Sequence, residues 1–259
     1  MPPERIERWR VSHLLGKGSF GQIYEGVNVD TNERVAIKME PADCKHPQVR
    51  WEAKVYSAQK GIKPSILWFG TIANQIILVM EKLDCSLSFK PLPISLRSVA
   101  RQMIDRIKGL HEAGYIHRDI KPENFLLKAE TVYLIDMGLA KKYMTRDNKH
   151  IPYSENKRMV GTPRYASIHN QLGHEVSRRD DMESIAYVLI YLAKGRLPWQ
   201  NLPKSDDPHA AILKTKQQTR ITDLCESLPK SYLNLLEHAK SLRFDETPNY
   251  NMCTFWFHS

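Results

Sequence analysis

The feature that most constrains this chain is a change of hydrophobic period part-way along it. The first 80 residues read mostly as strands: "WRVSHLLG", "QIYEGVNV" and "RVAIKME" are rich in β-branched and aromatic residues, with turn formers such as Asp30–Asn32 between them. "PQVRWEAKVYSAQKG" reads as one helix, with Pro47 suited to its first turn and Gly61 to its end. "SILWFG" and "QIILVME" follow as two more strands. Together these predict a five-stranded antiparallel sheet with one helix. From Ser95 the period becomes 3.6: Leu96, Val99, Met103, Ile107 and Leu110 form one apolar helix face, with Ser95 as N-cap and Gly114 as stop. "NFLLK" and "VYLID" predict short strands around a turn at Ala129–Glu130, and further helices are expected near 177–194, 206–217 and 229–241. The irregular stretch 136–176 is long enough to be expected to carry function. A sheet-forming part followed by a helix-forming part predicts an α+β chain of two lobes joined near residue 82.

Composition narrows the setting. No apolar run approaches the roughly 20 residues that span a bilayer, so no membrane association is expected. "MPPERIERWR" has no apolar core of a secretory signal. Cysteines stand alone at 44, 85, 225 and 253, which predicts neither a zinc site nor a disulfide framework and fits a reducing cytoplasmic or nuclear compartment. The net charge of +9 suits anionic partners, although a merely solvated basic face would look the same. The charges are spread along the chain without a long Lys/Arg tract, so nucleic acid is not expected.

Four stretches carry chemistry. "LLGKGSFGQIYEGV" places Gly16, Gly18 and Gly21 between two strand patterns. A dinucleotide-binding loop would run into a helix at its third glycine; a strand follows here, which suits a glycine-rich hairpin over phosphates. "VAIK" puts Lys38 on the third strand, and Glu52 lies fourteen residues on, inside the predicted helix, where it can pair with that ammonium. "YIHRDIKPENFLL" supplies Asp119 to accept a hydroxyl proton, Lys121 to neutralise a transferring phosphoryl group and Asn124 to ligate a metal ion. Twelve residues later "IDMGLA" offers Asp136 as a second metal ligand before Gly138.

In this order and spacing the motifs resemble the protein kinase superfamily, over nearly the whole chain. The later blocks "HIPYSENK", "RYASI", "SRRDDMES", "LPWQ" and "SLRFDETPNY" resemble the casein kinase 1 family. The resemblance implies a bilobal protein-kinase fold over residues 1–259: a β-rich lobe at 1–81, a hinge at 82–86 and a helical lobe at 87–259. It implies a monomeric Ser/Thr protein kinase using ATP and Mg²⁺. Backbone amides of Gly16, Gly18, Ser19 and Gly21 would close over the phosphates. Leu15, Ile23 and Ala36 above, and Leu126 and Ile135 below, would hold the adenine, with Met80 as gatekeeper and the backbone of Glu81 and Leu83 as hinge; plain core packing is the alternative for these apolar residues. Asp181 would bond the catalytic-loop backbone from a buried helix. Substrates would be proteins with acidic or phosphorylated residues before the target serine, read by Arg178, Arg179 and Lys216. The alternative is that these adjacent arginines pair with acidic neighbours such as Asp180.

The sequence departs from the family pattern in four places. Met137 replaces the usual phenylalanine and should fill its space. "LDCSLSFKPLPIS" is short and carries two prolines, so a helix is expected to be missing or reduced there. The interval from Asn124 to Asp136 is short, implying a trimmed hairpin, and with "NMCTFWFHS" following soon after Tyr250 the autoinhibition of the family's tail is expected to be absent. Neither Ser154 nor Thr162 is marked as a phosphorylation switch. A pseudokinase scaffold is the alternative function, disfavoured because Lys38, Asp119, Asn124 and Asp136 are all present.

Overall fold

The computed structural model describes residues 2–18, 21–45, 47–89, 91–145 and 147–258. By packing, these form two compact units: residues up to Asp84 together with Ile135–Gly138, and Cys85–Leu134 together with Leu139 onward. Ser19, expected in the phosphate loop, lies outside the described residues.

The first unit is an antiparallel sheet with a helix. Its strands are β1 (Arg5–Ile6), β2 (Trp9–Gly18), β3 (Gly21–Asn28), β4 (Arg34–Pro41), β5 (Ile66–Ile72) and β6 (Gln75–Glu81), in the order β1-β2-β3-β4-β6-β5. Six strands replace the expected five because Arg5–Ile6 pairs with Arg10 and Trp9. Two residues are too few to show a period, but Ile6 is fully buried beside Trp9, Tyr24, Val35, Ile37, Met39, Ile77 and Val79. Alternation along β4 sends Val35, Ile37 and Met39 into that core and leaves Ala36, Lys38 and Glu40 on the other face. Helix α1 (Gln48–Ala58) buries Val49, Glu52, Ala53, Val55 and Tyr56.

The second unit is mainly helical. It runs through β7 (Cys85–Ser86), α2 (Leu96–Glu112), β8 (Tyr115–Ile116), β9 (Phe125–Lys128), β10 (Thr131–Leu134), β11 (Lys141–Lys142), α3 (Ile168–Gln171), α4 (Arg178–Lys194), α5 (Pro208–Gln218), α6 (Ile221–Leu224), α7 (Lys230–Ser241) and α8 (Tyr250–Phe255). Ser95 caps α2 by accepting the Ser98 N–H at 3.2 Å, and Gly114 follows its end with φ of 85°. The helices expected near 177, 206 and 229 are α4, α5 and α7. Helix α4 is almost wholly buried, which is why its apolar residues run nearly all round it. Among the described residues no helix lies between β6 and α2, and none is long and apolar enough to cross a membrane.

Ile6→Ala tests the added strand. It should cost about 2–5 kcal/mol of unfolding free energy in a denaturant titration, the usual range for emptying a filled core position. A loss under about 0.5 kcal/mol, typical of surface positions, would show that the segment is not packed.

Candidate active site

The first unit builds a buried charge cluster around Lys38. Its ammonium meets Glu52 Oε2 at 2.6 Å and Asp136 Oδ1 at 3.1 Å, and the residue is 7% exposed. Burial works against the charged lysine, but Glu52 and Asp136 outweigh it and hold its pKa above the ordinary value. Burial also pushes Glu52 up to about 7, against the pull of Lys38. Asp136 has left-handed backbone with φ of 62°, and its N–H donates to the Tyr56 hydroxyl at 3.0 Å. Tyr56 stands one turn beyond Glu52 on α1, so a single helix face supports both partners of Lys38. Met137 is fully buried.

The glycines of the hairpin differ in what demands them. A Cβ on Gly21 would lie 2.4 Å from the Met39 carbonyl oxygen, and its φ is 137°; the fold itself requires glycine there. A Cβ on Gly16 would meet nothing within 4 Å. Gly18 ends β2, paired with Gly21. Among the expected adenine contacts, Ile23 lies opposite Lys38, and Ala36 lies opposite Met80. All three are half-buried on the Lys38 face. Leu15 is exposed at a bulge, Leu83 is buried, and the Glu81 N–H donates to the Ser65 carbonyl. Ile135 packs with this unit; Leu126, on β9, belongs to the second.

In the second unit the loop after β8 is held from beneath by Asp181 of α4. Its carboxylate accepts the N–H groups of His117 at 2.7 Å and Arg118 at 2.9 Å, as the sequence led us to expect, and contacts His111 Nε2 at 3.0 Å. Burial alone would raise Asp181; the bonds from His111 and His117 more than offset it and keep its pKa below the ordinary value. Burial lowers His111. A neutral His111 therefore carries its proton on Nε2 toward the carboxylate and accepts the Tyr250 hydroxyl at Nδ1, 2.7 Å away. These bonds retain Arg118 at φ of 70°.

The anchored loop presents Asp119. Lys121 Nζ lies 2.6 Å from its Oδ2, the Thr162 hydroxyl donates to Oδ1 at 2.8 Å, and Asn124 Nδ2 donates to its backbone carbonyl at 2.9 Å. Gly161 makes the Thr162 contact possible: at φ of 80°, a Cβ there would lie 2.3 Å from the Arg118 carbonyl oxygen. A carboxylate held between a cation and a hydroxyl donor is suited to take a proton from an incoming hydroxyl.

A model of the protein kinase domain matches residues 9–246, more than nine-tenths of the chain. The chain belongs to the protein kinase family. Membership brings phosphotransferase chemistry on protein substrates with ATP and a divalent metal, and the kinase's donors fit. Among the described residues no group of three or more His, Cys, Asp or Glu could hold a metal ion by itself. In the first unit Asp136 offers carboxylate oxygens and in the second Asn124 offers an amide oxygen; each is a donor of the kind Mg²⁺ takes, an ion that keeps several waters and leans on substrate phosphates. The open space at Gly16 leaves room for a ligand to approach backbone.

The three expected anion-binding residues of the kinase do not form one open basic pocket. Lys216 is 3% exposed; its ammonium donates to the carbonyls of Pro163 at 2.8 Å and Ala166 at 2.5 Å, beside the rings of Tyr187 and Trp199. It thus holds the segment after Thr162, and Trp199 Nε1 adds a bond to the Arg164 carbonyl at 2.7 Å. Arg178 stacks on Tyr143 and donates to the Asp245 carbonyl, while Arg179 donates to the Leu242 carbonyl and lies 3.9 Å from Asp180. Sequence reasoning missed Tyr56, His111 and the contact of Thr162. Tyr56 had a signal, four residues beyond Glu52 on a helix; the other two meet partners 70 and 43 positions away.

Burial drives the Lys216 pKa down to about 7 from 10.5. Between those values the unfolded chain binds a proton that the folded one does not, so stability rises with pH there. The penalty is greatest below pH 7 and fades as pH rises. The stability of Lys216→Met relative to the parent should therefore fall between pH 7 and 9, by about 2–3 kcal/mol. A difference that stays flat in denaturant titrations would show that Lys216 does not titrate in this range.

Proposed function

We propose that this kinase is an active serine/threonine protein kinase of the casein kinase 1 type, using Mg-ATP. The observation that carries the reading is the intact Lys38–Glu52–Asp136 cluster: a buried ammonium kept charged by two carboxylates, one of which retains access to solvent. When bound, Mg-ATP supplies an activated γ-phosphoryl group. Lys38 orients the nucleotide's phosphates, with Glu52 holding Lys38 in place. Asp136 and Asn124 would hold the metal, and backbone amides near Gly16, Gly18 and Gly21 would serve the phosphates. Ile23, Ala36, Met80 and Leu83, with Leu126 and Ile135, suit the base. Asp119 receives the hydroxyl proton while Lys121 balances charge on the phosphoryl group.

The casein kinase 1 assignment rests on the sequence blocks from "HIPYSENK" to "SLRFDETPNY". A preference for acidic or phosphorylated residues before the target rests on the net charge of +9 and on Arg178 and Arg179 at the start of α4. With the Lys216 donors turned to carbonyls, the arginines carry that preference alone. We place the enzyme in the cytoplasm or nucleus on a cysteine spacing that suggests neither a disulfide framework nor a zinc site.

Transfer of labelled phosphate from ATP to casein tests the activity. Parent protein should phosphorylate serine or threonine, and Asp136→Asn should lower turnover on the order of 10²–10³-fold. A folded parent with no transfer leaves the scaffold reading in its place. Arg178→Ala should raise KM for a primed peptide several-fold while leaving an unprimed one nearly unchanged, because the contact exists in ground and transition states alike. Equal losses on both peptides would assign Arg178 to the fold.

A further inference from the structure

Helix α1 has no N-terminal cap of its own. Pro47 occupies the cap position without a side-chain bond, and no acidic residue lies in the first turn. The initial N–H groups of a helix lack partners within it and need acceptors from elsewhere. Here two acceptors come from the sheet: Glu40 of β4 takes the Gln48 N–H on Oε2 at 2.9 Å and the Val49 N–H on Oε1 at 2.7 Å. Glu40 is 4% exposed, and both of its oxygens are engaged. The placement also sets a negative charge at the positive end of the helix dipole.

The geometry points to Glu40 as a positioning residue for the Lys38 site: by tethering the start of α1 to β4, it fixes Glu52 against Lys38. Lys38 and Glu40 stand two residues apart on one face of β4, about 6.6 Å along the strand. Gln48 and Glu52 stand four residues apart on α1, about 6 Å along the helix. The two spacings match, so helix and strand meet at two points: a carboxylate on amides and an ammonium on a carboxylate. One attachment would leave the helix free to pivot. Two fix its slide and its rotation. This inference rests on the kinase reading for its effect on turnover, but not for its effect on the helix.

The test uses Glu40→Gln, an isosteric change that keeps one acceptor and turns an NH₂ group toward a helix N–H. Amide exchange at Gln48 and Val49 should quicken at least tenfold, and kcat should fall on the order of 10–100-fold, as for a misplaced reacting group. Because Glu40 acts through Glu52, adding Glu40→Gln to Glu52→Gln should change kcat less than threefold; an undiminished loss in that background would overturn the proposal. A second variant separates tethering from helix stability. Pro47→Asp supplies a local cap in the Glu40→Gln background and should restore amide protection along α1 but not turnover. Recovery of full turnover by that cap alone would refute the tether, as would unchanged amide exchange in Glu40→Gln. Faster exchange in a protein whose parent transfers no phosphate would support the tether while the kinase reading fails.

Discussion

A carboxylate buried to 1% exposure stays ionised only where donors surround it, and Asp181 gathers three of them. Much of the second unit's chemistry hangs on that requirement. The N–H groups of His117 and Arg118 turn toward α4 to meet the carboxylate, which leaves Arg118 in left-handed backbone. The Arg118 carbonyl then faces Gly161 so closely that no side chain fits there. That approach brings the Thr162 hydroxyl onto Asp119. The chain from a buried helix to a candidate proton acceptor is thus a sequence of satisfied polar groups, each leaving the next little freedom.

The first unit meets the same requirement with the opposite charge. Lys38 is buried by the alternation of β4, which places it on the face away from the apolar core, and its ammonium must find carboxylates. One comes from α1 and the other from Asp136, 98 positions later in the chain. Glu52, pushed up to about 7 by burial, sits between two further holds on α1: Glu40 about one turn before it, at the helix start, and the bond between Tyr56 and the Asp136 backbone about one turn after it. A helix whose buried Val49, Val55 and Tyr56 pack it onto the sheet thus gains polar contacts that fix where along the sheet it sits.

What could be read from sequence follows from the range of the interactions involved. Helices α2, α4 and α7 were legible because their apolar or capping residues recur within single turns. Asp119, Lys121 and Asn124 were legible because one six-residue stretch contains them. The support of Asp181 for the loop could be read only through resemblance to kinases, since nothing local links positions 117 and 181. Strand β1 was too short to carry a period, and its evidence is tertiary: Ile6 packed against Trp9 and Tyr24. The capping of α1 by Glu40 spans only eight positions, but a glutamate in a strand before a loop looks like any solvated charge until the helix folds back over it.

Lys38 and Lys216 show how little a residue type settles. Both are buried, yet their pKa values move in opposite directions. The partners of Lys38 are carboxylates, whose full charges repay the desolvation of an ammonium. Those of Lys216 are two carbonyl dipoles and two aromatic faces, which compensate less, so burial prevails and the value falls to about 7. A sequence displays two lysines in charged surroundings. The fold turns one into a fixed cation facing acidic groups and the other into a tie for the backbone of residues 163–166. For Lys216 to receive a phosphate, its ammonium would have to give up both carbonyls and release the segment that follows Thr162, loosening a neighbour of Asp119.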